Sequence, residues 1–159
     1  MNIKTIFKLV ISIIICQLAG AIGSFFTVDS ITNWYLYLNK PQLNPPNWIF
    51  GPVWITLYVM MGISLFLIWQ KGLDNAKNRS AFILFVIQLV FNSLWSIVFF
   101  GYHQVLAAVF VIMVLWLLIL ACIVRFTPIS KPASYLLIPY ILWVSFASYL
   151  NISIYILNR

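Results

Sequence analysis

Five separate apolar stretches, each about 20 residues long, constrain this chain more than any other feature. They run roughly from Ile6 to Phe26, Trp48 to Trp69, Ser80 to Phe100, Val105 to Val124 and Tyr135 to Leu157. A stretch of that length crosses hydrocarbon as a helix, because only a helix pairs its own backbone N–H and C=O groups there. The sequence therefore predicts an all-α integral membrane bundle of five transmembrane helices, a single domain over residues 1–159. Charged residues make up 7% of the chain, where a soluble domain carries about a quarter, so nothing is left over for a water-soluble module. The lipid bilayer is the chain's first partner. Short polar breaks, at Lys71 to Arg79, Gly101 to Gln104 and Phe126 to Pro132, predict that consecutive helices are antiparallel neighbours.

The cations report sidedness. Nine Lys and Arg face two acids, a balance that would suggest nucleic acid if the bases clustered on one polar face. They are scattered singly, which excludes nucleic acid as a partner. Lys4, Lys8, Lys71, Lys77, Arg79, Arg125 and Lys131 fall on one side of the predicted bundle and only Lys40 and Arg159 on the other. Since cations near span ends stay in the cytoplasm, the N-terminus is expected to be cytoplasmic and the first loop outside. Lys4, Lys8, an apolar run and Ala19-Gly20-Ala21 also fit a signal peptide with its cleavage site. The small residues Ala19, Gly20 and Gly23 equally suit close helix packing in lipid, and are expected at a dimer contact. Cys16 and Cys122 differ in predicted depth by roughly 10 Å, at about 1.5 Å per residue, too far for a disulfide.

Both acids, Asp29 and Asp74, lie outside the predicted spans. Proton-coupled carriers and small multidrug exporters depend on an intramembrane acid, so that class is disfavoured. The single His103 sits in a short turn with no Cys, Asp or Glu at metal-ligand spacing; it reads as a surface turn residue, and no metal site is expected. Inside the membrane the remaining polarity is amide and hydroxyl. Gln88, Asn92 and Ser96 recur every four residues with Trp95 on the same side, a face that serves either as interhelical glue or as a ligand site. Gln17 and Asn151 are its candidate partners.

Aromatics are in excess. Trp34, Tyr35, Tyr37, Trp48 and Trp69 suit an interfacial belt, whereas Trp54, Trp95 and Trp143 are deeper. Trp54, Tyr58 and Met61 share one helical face, and Tyr140, Trp143, Ala147 and Asn151 another. Such faces converging on amides suit a large flat apolar ligand with few polar atoms. The long first connection, Thr27 to Asn47, reads as a lid stiffened by Pro41, Pro45 and Pro46. Pro52 is expected to kink the start of the second helix, and Gly51 to permit close backbone approach.

The ordered series Trp34, Lys40-Pro41, Pro45-Pro46, Trp48, Gly51-Pro52-Val53-Trp54, Leu57-Tyr58, Met61-Gly62, Gln88, Phe91-Asn92, Trp95, Phe99-Phe100-Gly101, Pro139-Tyr140, Trp143, Phe146-Ala147 and Leu150-Asn151 closely resembles the TspO/MBR family, the tryptophan-rich sensory proteins of bacteria and the mitochondrial translocator protein. The resemblance implies a five-helix bundle, usually dimeric, with a pocket beneath the first loop that takes porphyrins and haem and, in mitochondrial members, cholesterol. It implies that Trp54, Tyr58, Gln88, Asn92, Trp95, Tyr140, Trp143 and Ala147 bind the ligand, and that Trp34, Lys40, Pro41, Pro45, Pro46 and Trp48 form the lid. Porphyrin or haem would be ligand rather than required cofactor. The expected role is a receptor, sensor or transporter in porphyrin handling or stress response. An enzymatic alternative is light-dependent porphyrin breakdown at Trp54 and Trp143. Leu150, Tyr155 and Arg159 match a sterol-contact pattern, giving sterol binding or scaffolding as a further reading. Where many members have further Trp after Lys-Pro, Gln42 and Leu43 stand here. The loop form favours a bacterial plasma membrane, with the mitochondrial outer membrane as the alternative.

Overall fold

The computed structural model describes residues 2–159, and its helices follow from the apolar runs. Asn2 caps α1 (Ile3–Asn33) by accepting from the Thr5 N–H at 2.9 Å, satisfying one of the donors a helix start leaves free. A 3₁₀ turn (Tyr35–Tyr37), an irregular loop and a second 3₁₀ turn (Asn47–Ile49) lead into α2 (Phe50–Gln70). Asn75 caps α3 (Ala76–Ser96), which ends in a π turn (Ile97–Gly101). Then follow α4 (Val105–Phe126), the short α5 (Lys131–Leu136) and α6 (Ile138–Leu157). Counting α5 with α6, five helical segments are long and apolar enough to cross a membrane.

Three boundaries differ from the sequence reading. α1 does not stop at Phe26 but runs on to Asn33, and at about 1.5 Å per residue its 31 residues extend about 46 Å. That exceeds the roughly 30 Å of hydrocarbon, so the first connection is shorter than expected. The fifth span is broken at Leu137, just ahead of Pro139 in the first turn of α6. Pro52 lies in the first turn of α2, where its missing N–H removes no interior helix bond, and the 3₁₀ turn runs straight into the helix instead of kinking it.

The helices close into a ring in the order α1, α2, α5 with α6, α4, α3, back to α1. α2 and α3 are consecutive yet meet sparsely, because α1 packs against both; the expectation of close neighbours fails for that pair. At the end holding the N-terminus, Ser64 donates to the Ala133 carbonyl at 2.7 Å and ties α5 to α2. Beyond Leu137, α6 hardly touches α2. The two diverge toward the end that carries the first connection, leaving a wedge between them.

Candidate functional site

The wedge holds a cavity of about 490 Å³. α1 supplies a wall along one helical face through Gln17, Gly20, Ser24, Val28 and Ile31, and α2 supplies Phe50, Gly51, Trp54 and Tyr58. α3 and its π turn contribute Trp95, Ser96, Phe99 and Phe100, and α6 contributes Trp143, Ala147, Leu150 and Asn151. From the first connection come Tyr35, Asn47 and Trp48. The lining is dominated by aromatic rings in mutual contact. Trp54 stacks on Tyr58 with centroids 5.5 Å apart and lies 6.5 Å from Trp95, which stacks on Phe99 at 5.7 Å. Trp143 meets Phe50 edge to face at 6.0 Å. These rings hold one another in place, so the cavity is pre-shaped.

Gly20 and Gly23 make the close approach possible. A Cβ on Gly20 would reach 2.7 Å from Cδ2 of the Tyr58 ring, and one on Gly23 would lie 3.0 Å from the Ser96 hydroxyl. The Ser93 hydroxyl donates to the Ala19 carbonyl at 3.1 Å. The small residues expected at a dimer contact thus pack α1 against α2 and α3 of the same chain. α1 is built into the bundle. Gly51 departs from expectation too: nothing lies within 4 Å of a Cβ placed there, and it borders open cavity instead of a neighbouring backbone.

The amide face divides in two. Trp95 and Ser96 line the cavity, but Gln88, Asn92 and Tyr140 do not; Gln88 and Asn92 are each 1% exposed. They form a buried chain in which the Tyr58 hydroxyl donates to Asn92 Oδ1, Asn92 Nδ2 donates to the Tyr140 oxygen at 2.9 Å, and the Tyr140 hydroxyl donates to Gln88 Oε1 at 3.0 Å. For these three the interhelical-glue reading holds: they join α2, α3 and α6 beside the cavity. Asn151 is a partner of that face, accepting from Trp95 Nε1 at 3.0 Å and donating to the Val105 carbonyl at 3.1 Å. Gln17 is not, since it donates to the Ile55 carbonyl of α2 at 3.2 Å.

Of the six expected lid residues only Trp48 touches the cavity, and it is 74% exposed. The other five stiffen the loop. Trp34 stacks on His103 at 4.2 Å and meets Phe99 edge to face at 5.5 Å. His103 is exposed in its turn, as expected, and with Ser30 3.2 Å from its Nε2 it also joins the two connections. Lys40 donates to the carbonyls of Leu36 and Leu38 at 3.0 and 3.1 Å and sits 4.9 Å over the Tyr35 ring; partial burial lowers its pKa from the usual lysine value. The Pro41 and Pro46 carbonyls accept from Asn44 and Ile49 N–H groups, and Pro45 accepts from Asn44 Nδ2. Tyr35 donates to Asn44 Oδ1 at 2.7 Å, and burial pushes its pKa up to about 12. Asn39 and Asn158 exchange hydrogen bonds, N–H to Oδ1 and Nδ2 to O, both at 2.9 Å, fastening the loop to the end of α6. Of the sterol-pattern residues, Leu150 lines the cavity, while Tyr155 is half-buried and Arg159 is exposed and neither is part of its lining.

Of the lining that sequence reasoning missed, α1 supplies the largest share of any one helix. Gly20, Ser24 and Ile31 follow helical spacing, but small and β-branched residues carry no chemical flag.

A ring of five apolar helices around an aromatic cavity defines the class: an integral, multi-pass, all-α membrane protein. Residues 12–157 match the TspO/MBR family, and the chain belongs to that family. It is 43% identical over 155 residues to a tryptophan-rich protein TspO of Chlorobaculum tepidum, covering 98% of both chains. It is 45% identical over 153 residues to one from Archaeoglobus fulgidus, covering 96% of this chain and 98% of the relative. The human translocator protein is 35% identical over 131 residues, covering 82% of this chain and 78% of that one.

Proposed function

We propose that the protein binds a tetrapyrrole in this cavity and acts as a receptor, sensor or transporter in porphyrin handling. The observation that carries the reading is the cluster of Trp54, Trp95 and Trp143 around one apolar space. Its volume of about 490 Å³ falls within the roughly 300–1,000 Å³ of small-molecule sites, and indole faces suit a flat conjugated ring. Among the described residues the lining holds no His, Cys or Met, the usual axial ligands of haem iron besides Tyr. Tyr35 and Tyr58 line it, but both hydroxyls donate within the protein. The lining therefore favours recognition of the macrocycle over recognition of the metal, and protoporphyrin IX is the preferred ligand over haem.

The experiment is a titration of protoporphyrin IX followed by Trp emission. Saturable quenching is expected, with Trp54→Phe plus Trp143→Phe lowering affinity at least tenfold; unchanged affinity removes both indoles from the site. The placement of those two indoles in one cavity also favours the light-dependent reading. Product formation in light exceeding that in darkness and that with free Trp supports it.

The distribution of cations supports a cytoplasmic N-terminus, with the first connection and the cavity mouth on the opposite side. The identity of 43% and 45% to the bacterial and archaeal relatives, against 35% to the human one, supports a prokaryotic plasma membrane.

A further inference from the structure

At the opposite end of the bundle from the cavity, the first turns of α1 and the last turn of α2 enclose a shallow groove of about 450 Å³, lined by Ile3, Lys4, Phe7, Lys8 and Trp69. Two chemistries run along it side by side. Ile3 and Phe7 are one helical turn apart and 83% and 66% exposed, giving an apolar strip; Lys4 and Lys8, at the same spacing, give an adjacent cationic strip. Trp69 forms the far wall. Its ring is held edge to face by Phe82 at 5.9 Å, and Lys8 Nζ lies 5.6 Å from its centroid. Of the two acids in the chain, Asp29 is at the other end of α1 and Asp74 lies in the connection between Lys71 and the first turn of α3, which carries Lys77 and Arg79. Counter-charge for Lys4 and Lys8 therefore comes from outside the protein.

We propose that this groove binds one anionic phospholipid of the adjoining leaflet, its phosphate between the Lys4 and Lys8 ammonium groups and an acyl chain along Ile3 and Phe7. An amphiphile is the only occupant that uses both strips, because a free phosphate would leave the apolar strip and the indole without a role. Trp69 stands at the glycerol level, where indoles favour the membrane interface. The other cations at this end, Lys71, Lys77, Arg79, Arg125 and Lys131, occupy connections and helix ends and are not part of this groove. A lysine close to an anionic surface is worth roughly fivefold in partition, so the pair gives roughly twenty-fivefold at most.

The test uses the full chain in phosphatidylcholine vesicles containing a minority of brominated lipid, since bromine quenches nearby indoles. At equal mole fraction, brominated phosphatidylglycerol is expected to quench more strongly than brominated phosphatidylcholine, and Trp69→Phe to remove the excess. Lys4→Gln with Lys8→Gln abolishes the excess. Lys77→Gln with Arg79→Gln, an equal charge change at the same end, retains it, and unchanged circular dichroism shows each variant folded. Equal quenching by the two lipids, or loss of the excess in both double variants, overturns the proposal. Relief of quenching by added inorganic phosphate overturns it in favour of a free-anion site.

Discussion

Three glycines that look alike in the sequence do different things. A Cβ on Gly62 would lie 2.6 Å from the Ile13 Cα, and one on Gly20 would press into the Tyr58 ring, whereas one on Gly51 meets nothing within 4 Å. Gly62→Ala must push α1 off α2, and overpacking of this kind costs about 1–3 kcal/mol, so a clear fall in melting temperature is expected. Gly20→Ala displaces a cavity wall and weakens porphyrin binding as well. Gly51→Ala leaves melting temperature unchanged within error. The buried amide chain gives a second test. Asn92→Leu strips a partner from both Tyr58 and Tyr140, each loss costing about 1–3 kcal/mol, while Trp143→Phe, whose indole N–H has no hydrogen-bond partner among the described residues, alters ligand affinity more than stability. Thermal scans paired with porphyrin titrations separate the two. Spacing alone placed Gln88, Asn92 and Trp95 on one face, but the period of a helix does not say which part of a face meets a cavity and which meets another helix. That distinction depends on where α6 diverges, a property of the fold.

At the level of elements, the hydropathy runs revealed all five spans, because backbone pairing in lipid leaves no alternative. They did not reveal that α1 continues through Thr27–Asn33, since Thr27, Asp29, Ser30 and Thr32 read as loop. There Thr27 turns its hydroxyl to the Gly23 carbonyl at 2.8 Å and Ser30 donates to the Phe100 carbonyl, so polar residues are accommodated on a helix. The loop that follows is fastened at both ends. Asn158→Ala removes the exchange with Asn39, two hydrogen bonds of about 1 kcal/mol each. Amide exchange over residues 35–46 is expected to quicken at least tenfold, with little change in the melting of the bundle. Tyr35 adds a pH dependence of known sign. With its pKa raised to about 12, above the unfolded value near 10, its contribution is complete below about pH 10 and lost as pH rises toward 12. Tyr35→Phe flattens that part of the alkaline unfolding curve, measured by loop exchange or melting against pH.

For the molecule as a whole, sidedness is the property most directly open to measurement. In a background with the buried thiols Cys16 and Cys122 replaced by alanine, Thr32→Cys is expected to react with an impermeant maleimide in intact cells. Asn2→Cys should react only after permeabilisation, and the reverse pattern inverts the topology. The splayed arrangement of α2 and α6 has a mechanical consequence. α6 is a rod of 20 residues that leaves α5 at Leu137, about 30 Å long at about 1.5 Å per residue, and Trp143 sits six residues, about 9 Å, beyond that break. A tilt of roughly 5° about that break shifts the far end, which Asn158 ties to Asn39, by about 2.6 Å over the same length, so the loop is carried with the helix. The width of the cavity and the position of the loop over it are thus set by one angle, that between α5 and α6.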